Sequence, residues 1–194
     1  MKLCGLTGGV GMGKSTAAGF LLSRGARVVD TDLIAREIAR PGQPALAEIQ
    51  ATFGVHSLTA TGELDREHLA RLVFADTSAR QKLEAILHPR IRERWLEQVE
   101  VWRREQAPLG FVVIPLLFET QAEKYFEKMV CVACSADSQR ERLSERGWSP
   151  EQIRQRIAAQ LPVEQKMARS QFVVWTEGTL EVHRQQWECI LARL

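Results

Sequence analysis

Gly8-Gly9-Val10-Gly11-Met12-Gly13-Lys14-Ser15 constrains this chain more than any other stretch, because it fills every fixed position of the pattern G-x-x-x-x-G-K-[ST]. Upstream, Lys2 to Thr7 reads as a short buried strand. Downstream, Lys14 to Ser23 carries Ala17, Phe20 and Leu21 on one helical face. Strand, glycine loop and helix in that order are the context a phosphate-binding P-loop requires. The glycines let the backbone curl without a Cβ clash, so successive N–H groups can aim at one set of phosphate oxygens, and the helix adds its positive N-terminal end. Lys14 is expected to bridge the β- and γ-phosphates, and Ser15 to place its hydroxyl on the magnesium ion of a nucleoside triphosphate. The plain alternative is a glycine-rich turn with an exposed lysine.

A second short strand, Arg27 to Asp30, ends on Asp30-Thr31-Asp32 before a helix from Leu33 to Ala39. Ligands of parallel α/β sheets bind beyond the carboxyl ends of the strands, so these carboxylates are candidates to meet an acceptor hydroxyl. Asp32 could equally be only the cap of the helix that follows. Strand signals then stop until about Pro108. Helices are expected over Pro44–Phe53, Asp65–Phe74 with Asp65 as cap, Ser78–Leu87 and Pro89–Gln106, the last two carrying stripes of Leu83, Ile86, Leu87 and of Ile91, Trp95, Val99, Trp102. His88-Pro89 should break the third helix from the fourth, since proline drives the residue before it out of the α region. On its own His88 reads as a turn histidine.

Phe111 to Ile114 is a third strand, and Pro115-Leu116-Leu117-Phe118-Glu119 follows it, with Glu119 the first charge after an apolar run. Met129–Ala133 and Phe172–Val174 are the fourth and fifth strands, and Thr179–Leu194 is a closing helix with Trp187, Ile190, Leu191 and Leu194 on one face. Between those strands lie Asp137–Arg146 and a helix opened by the capping box Ser149-Pro150-Glu151-Gln152. Arg140, Arg142, Arg146, Arg154 and Arg156 fall in this segment. Singly they read as partners of nearby glutamates; as a group they suit a lid closing on phosphates. Alternating strands and helices predict an α/β fold, a three-layer α/β/α P-loop sandwich with a five-stranded parallel sheet, a helical insertion and a small lid.

A chain of 194 residues suits one such domain, with a core of 1–34, 109–136 and 168–194, an insertion of 35–108 and a lid of 137–167. Twenty-six Lys and Arg against twenty-four Asp and Glu leave +2, so no nucleic-acid coat is expected and any anion site must be local. No apolar run can span a membrane and no signal segment precedes the first strand, which predicts a cytoplasmic address. Cys4, Cys131, Cys134 and Cys189 read as buried reduced thiols; Cys131-Val-Ala-Cys134 lies in a strand, the wrong place for a redox pair.

Leu6-Thr7-Gly8-Gly9-Val10-Gly11-Met12-Gly13-Lys14-Ser15-Thr16, Val29-Asp30-Thr31-Asp32, Phe53-Gly54, Gly62-Glu63-Leu64-Asp65-Arg66, His88-Pro89, Pro115-Leu116-Leu117-Phe118-Glu119 and Gln139 to Arg146 together resemble the dephospho-coenzyme A kinases, a family of the nucleoside monophosphate kinase branch. The resemblance implies ATP-dependent phosphorylation of the ribose 3′-hydroxyl of dephospho-CoA, with magnesium. It makes Gly9 and Gly11, Met12, Gly13, Lys14, Ser15 and Thr16 the ATP loop, Asp32 the catalytic base, Arg142, Arg146 and Arg156 lid arginines, and the insertion the coenzyme-binding lobe. It also places His88, Pro89, Leu116, Leu117 and Glu119 with the acceptor, and Ser15 and Asp32 at the metal. The partners expected are these small molecules alone, on a monomer. Val113 stands where the family often has an acidic residue, and Ser170-Gln171 and Thr176 where it tends to show Ala-Asp and Asn. The rival readings are a kinase of another nucleoside or nucleotide and a binding protein that closes on ATP without turnover. No N-K-x-D or T-K-x-D guanine signature supports a GTP switch.

Overall fold

Alternation along the strands decides how the layers stack. The computed structural model describes every residue from Met1 to Leu194. Five strands, β1 (Lys2–Thr7), β2 (Arg27–Asp30), β3 (Leu109–Val113), β4 (Lys128–Ala133) and β5 (Phe172–Trp175), form one sheet in the order β2-β3-β1-β4-β5. The pairings of β1 with β3, β1 with β4 and β4 with β5 are parallel, with Cys4 opposite Phe111 and Leu6 opposite Val130. Cys4, Leu6, Phe111, Val113, Val130, Val132 and Val174 point to one face. There they pack on Ala17 and Leu21 of α1 (Lys14–Ser23) and on Trp187 and Ile190 of α9 (Leu180–Leu191). The ring of Trp187 meets that of Phe111 edge-on, with centroids 6.0 Å apart. Intervening residues face the other way: a Cβ on Gly110 would come 3.0 Å from Trp102, and one on Gly5 2.5 Å from Leu117. Both faces of the sheet are therefore covered, as a parallel sheet requires.

The chain forms two compact units. The first comprises Met1–Val29 and Val99–Leu194 and holds the P-loop; the second is Asp30–Gln98. The second unit thus starts and ends earlier than the insertion expected over 35–108. Its elements are α2 (Thr31–Ile38), α3 (Pro44–Phe53), α4 (Arg66–Ala75) and most of α5 (Thr77–Arg104). Asp65 caps α4 as expected, accepting from the His68 amide at 2.8 Å. The Arg90 guanidinium meets Glu48 of α3 at 2.6 Å. In the first unit α6 (Ala136–Glu145), α7 (Pro150–Ala158) and α8 (Val163–Ala168) follow β4. The Ser149–Gln152 capping box is present, whereas α8, too short to show a period, has no counterpart in the sequence reading.

The structure overturns one local expectation. There is no helix break at His88-Pro89: α5 runs unbroken for 28 residues with Pro89 inside it. Proline removes an N–H donor and so deprives a carbonyl of the preceding turn of its usual partner. That carbonyl is the one of Ala85; at the next residue Arg90 Nη1 donates from its side chain to the Ile86 carbonyl at 2.6 Å. Trp95, Val99 and Trp102 are buried, so packing of this stripe holds together a helix that local propensity would divide. The cysteines differ from expectation at one position: Cys4, Cys131 and Cys134 are buried free thiols, but Cys189 is exposed. Burial pushes Cys4 up to about 12 and Cys131 to about 11, leaving both unreactive. No helix is long and apolar enough to cross a membrane.

Candidate active site

The loop between β1 and α1 has the backbone its glycines predict. Gly8, Gly11 and Gly13 all have positive φ, at 146°, 76° and 93°. At Gly8 a Cβ would lie 2.2 Å from the Val132 carbonyl oxygen, which is backbone and cannot give way; at Gly11 it would lie 2.9 Å from Leu143. Gly13 is the residue before α1, and the first turn of α1 contains no acidic side chain, so the positive helix end is left uncompensated. Lys14, half-buried, donates to the Gly8 and Gly9 carbonyls at 2.9 Å each. The exposed-lysine alternative therefore fails: the ammonium is folded back over the loop. Ser15 and Thr16 follow on the exposed side of the first turn.

Two of the five lid arginines face the loop. Arg142 and Arg146 line a cavity of about 360 Å³ together with Gly11, Gly13, Thr16 and Thr176. Arg142 is fixed there by donating to the Thr176 hydroxyl at 2.9 Å and its carbonyl at 2.6 Å, and Thr176 donates to the Met12 carbonyl at 3.2 Å. The adjoining Glu177 holds that turn in place by accepting from the Ser135 amide at 2.8 Å and the Trp175 indole at 3.1 Å. Hydrogen bonds from Ser135 and Ser138 bring its carboxyl down to about 2. His183 lines the same cavity and accepts from the Trp187 indole at 3.1 Å; burial, then the charge of Arg142, lower its pKa. The other three arginines part company with this site. Arg140 pairs with Asp137 and Arg154 with Glu151, both within one helix, while Arg156 stacks over Trp148 at 4.1 Å.

The acceptor-side residues divide between the units. Asp32, His88 and Pro89 belong to the second. Asp32 is exposed at the second position of α2 and is not its cap: Asp30 fills that role, accepting from the Asp32 amide at 2.8 Å. His88, inside α5, has its pKa lowered by burial, with Glu84 opposing and Arg92 reinforcing the shift. In the first unit Leu117 is fully buried against the sheet and Leu116 is partly buried. Glu119 pairs with Lys166 at 2.8 Å and accepts from the Leu161 amide at 2.8 Å. Gln160 and Lys166 escaped the sequence reading, and Gln139 entered it only within the stretch Gln139 to Arg146. Gln139 and Gln160 bond to Val10, and Lys166 is completely buried. A lysine within Glu-Gln-Lys-Met carries no local sign of burial.

Residues 2–181 match the family model described as Dephospho-CoA kinase. The chain belongs to the dephospho-CoA kinase family. A relative of that name from Anaeromyxobacter dehalogenans is 45% identical over the full length of this chain and 92% of its own. Among solved structures, one from Thermus thermophilus is 36% identical with a TM-score of 0.83, covering 100% of this chain and 97% of that one. A dephospho-CoA kinase from Campylobacter jejuni is 27% identical with a TM-score of 0.71, covering 99% and 96%. Family membership makes the chain an enzyme, a kinase, and agrees with the resemblance drawn from its motifs.

Proposed function

We propose that this protein transfers the γ-phosphoryl group of ATP to the ribose 3′-hydroxyl of dephospho-CoA, giving CoA and ADP. The observation that carries the reading is the P-loop cradle, with Lys14 folded onto the Gly8 and Gly9 carbonyls beside a cavity that Arg142 and Arg146 face. Amides at the start of α1 and Lys14 hold the phosphates. Arg142 and Arg146 oppose the charge that spreads over the moving group, and their planar forks suit phosphate oxygens better than an ammonium does. Both already line the cavity beside the loop, and closing of the 137–167 segment as a lid would tighten them onto the phosphates while Gln139 and Gln160 stay on Val10. Asp32 aligns the 3′-hydroxyl and takes its proton as the phosphoryl group leaves ATP. The second unit holds the coenzyme portion of the acceptor, with His88 and Pro89; Leu116 and Glu119 are the first unit's candidates for acceptor contact.

Magnesium fits the donor set. No group of three His, Cys, Asp or Glu side chains forms a cage for an ion, and magnesium in phosphotransferases draws most of its ligands from phosphates and water. The Ser15 hydroxyl would ligate it, with Asp32 reaching it through water. When bound, the ion would supply positive charge that offsets that of the phosphates. We place the enzyme in the cytoplasm, as a monomer.

Two measurements test the reading. ADP release should require dephospho-CoA and be far slower with AMP, adenosine or shikimate; a higher specificity constant for AMP would refute the acceptor assignment, and ADP release indifferent to acceptor would refute transfer. In Asp32→Asn the fold and ATP affinity should persist while turnover drops by roughly 10²- to 10⁴-fold. A folded variant turning over near the wild-type rate would remove Asp32 from the base role.

A further inference from the structure

Val10, at the tip of the P-loop, spends both of its backbone polar groups on glutamines from other segments. Gln139 Nε2 donates to its carbonyl at 2.7 Å, and its own N–H donates to Gln160 Oε1 at 3.1 Å. The residue after Gln160 is held too, because the Leu161 amide donates to Glu119 Oε1 at 2.8 Å. The same carboxylate oxygen receives the Lys166 ammonium at 2.8 Å, and Lys166 also donates to the Pro115 carbonyl at 2.6 Å. The Thr7 hydroxyl donates to that carbonyl at 3.3 Å. Thr7 leads straight back into the loop. Thr7, Pro115, Lys166, Glu119, Leu161, Gln160 and Val10 therefore form a ring that closes through the first residues of the P-loop itself.

Lys166 is 0% exposed. A buried ammonium is costly, and replacing a buried ion pair by an apolar side chain of similar size is often neutral for stability. Stability alone is thus a poor reason for a lysine here. What the charge supplies is direction: it fixes two acceptors from the segment after β3, and through Glu119 it fixes the link between α7 and α8. That link sets where Gln160 stands. Gln160 in turn occupies the Val10 N–H, and the phosphates are left to the start of α1, whose positive end no acidic side chain compensates.

We propose that Gln160 and Lys166 are positioning residues for nucleotide phosphate binding, acting together through this ring to hold the P-loop in its cradling curl before nucleotide arrives. The consequence for turnover rests on the kinase reading above; the consequence for ADP binding does not.

The test is ADP affinity by calorimetry, with the KM values for ATP and dephospho-CoA measured beside it. Gln160→Met keeps the length and loses the acceptor, so ADP affinity should fall on the order of fivefold, the worth of one net hydrogen bond. Gln160→Glu keeps an oxygen in place and should bind ADP like wild type. Lys166→Met should lose at least as much as Gln160→Met, and the double variant no more than the worse single one, because neighbours in one network are not additive. The KM for dephospho-CoA should not move in either Gln160 variant. Wild-type ADP affinity in Gln160→Met, no rescue in Gln160→Glu, or losses that multiply in the double variant would each overturn the proposal. Should Lys166→Met fail to fold, the Gln160 pair decides alone. Wild type that binds ADP yet transfers nothing to dephospho-CoA would remove the acceptor reading and leave this one standing.

Discussion

The two sides of the P-loop are built differently. On the side of Gln160, Glu119 and Lys166 the polar groups are committed to one another, and the cavity beside them, of about 300 Å³, is lined largely by apolar side chains such as Met12, Cys134, Val163 and Met167. On the side of Arg142, Arg146 and Thr176 two arginines and one carboxylate, Glu145, line a cavity of about 360 Å³. The first side holds the loop and the second offers charge to a ligand. Such a division is physically sensible: a scaffold works best when its hydrogen bonds are saturated, whereas cations that bind phosphate must keep donors for it.

The largest blow to this comparison would come from Lys14, which lies between the two sides. Lys14→Ala should lose roughly 2.7 to 4 kcal/mol of barrier stabilisation, as for one oxyanion donor, and also two loop hydrogen bonds, so a lower melting temperature should accompany the lost turnover. Near-normal turnover in a folded variant would show that the loop does not grip phosphates.

Next come the glycines. Gly8→Ala drives a Cβ against the Val132 backbone and should cost about 1–3 kcal/mol of stability in denaturant titration. Gly11→Ala, whose close contacts are to the Leu143 side chain and whose approach to the Gln139 carbonyl oxygen is an ordinary 3.5 Å, should cost less. Equal costs would mean that the loop is not pinned at its strand end.

Arg142→Ala, which frees Thr176, should raise the KM for ATP by roughly 10- to 100-fold, on the scale of the ~1.5–3 kcal/mol typical of a hydrogen bond from a charged donor. Arg146→Lys should lower turnover by a smaller factor, since the charge stays and the fork goes. Arg140→Ala and Arg154→Ala are the controls: both are surface ion pairs, worth about 0–1 kcal/mol in stability, and should leave kinetics unchanged. If they behave like Arg142, the distinction between cavity arginines and surface arginines disappears.

The smallest effect is a pH dependence on the open side. His183 titrates below its usual value because it is buried and near Arg142, so the unfolded chain binds the proton more readily than the folded one. Stability should then be complete above about pH 6.5 and fall as the pH drops below that, where the unfolded imidazole takes its proton first. His183→Gln should flatten this acid slope, and Arg142→Ala should flatten part of it. An unchanged slope in both would detach His183 from the arginine side.

Much of this was legible in the sequence because the signals were local. The pattern from Lys2 to Ser23 predicts strand, loop and helix, and each is where expected. Turn chemistry at Asp65 and Ser149 marked two helix starts, since a cap needs only residues three apart. Resemblance carried the family, and the chain belongs to it. Local signals failed where packing outweighed them. Pro89 reads as a break, yet the buried stripe through Trp95, Val99 and Trp102 belongs to one helix with it.

The sequence by itself determined the five strands, the glycine loop and most helix starts, because backbone curvature, capping and amphipathic period are properties of a few neighbouring residues. Only the tertiary structure decided what each charge does. Five arginines of one segment look alike in sequence; the fold sends two to ion pairs within their own helices, one to the face of Trp148 and two to the cavity beside the glycine loop. Lys166 looks like a surface residue and is buried on two acceptors that are 51 and 47 positions away in the chain. Charge has no intrinsic address: the energy of an ion depends on the dielectric and the partners around it, and both are set by segments distant in sequence.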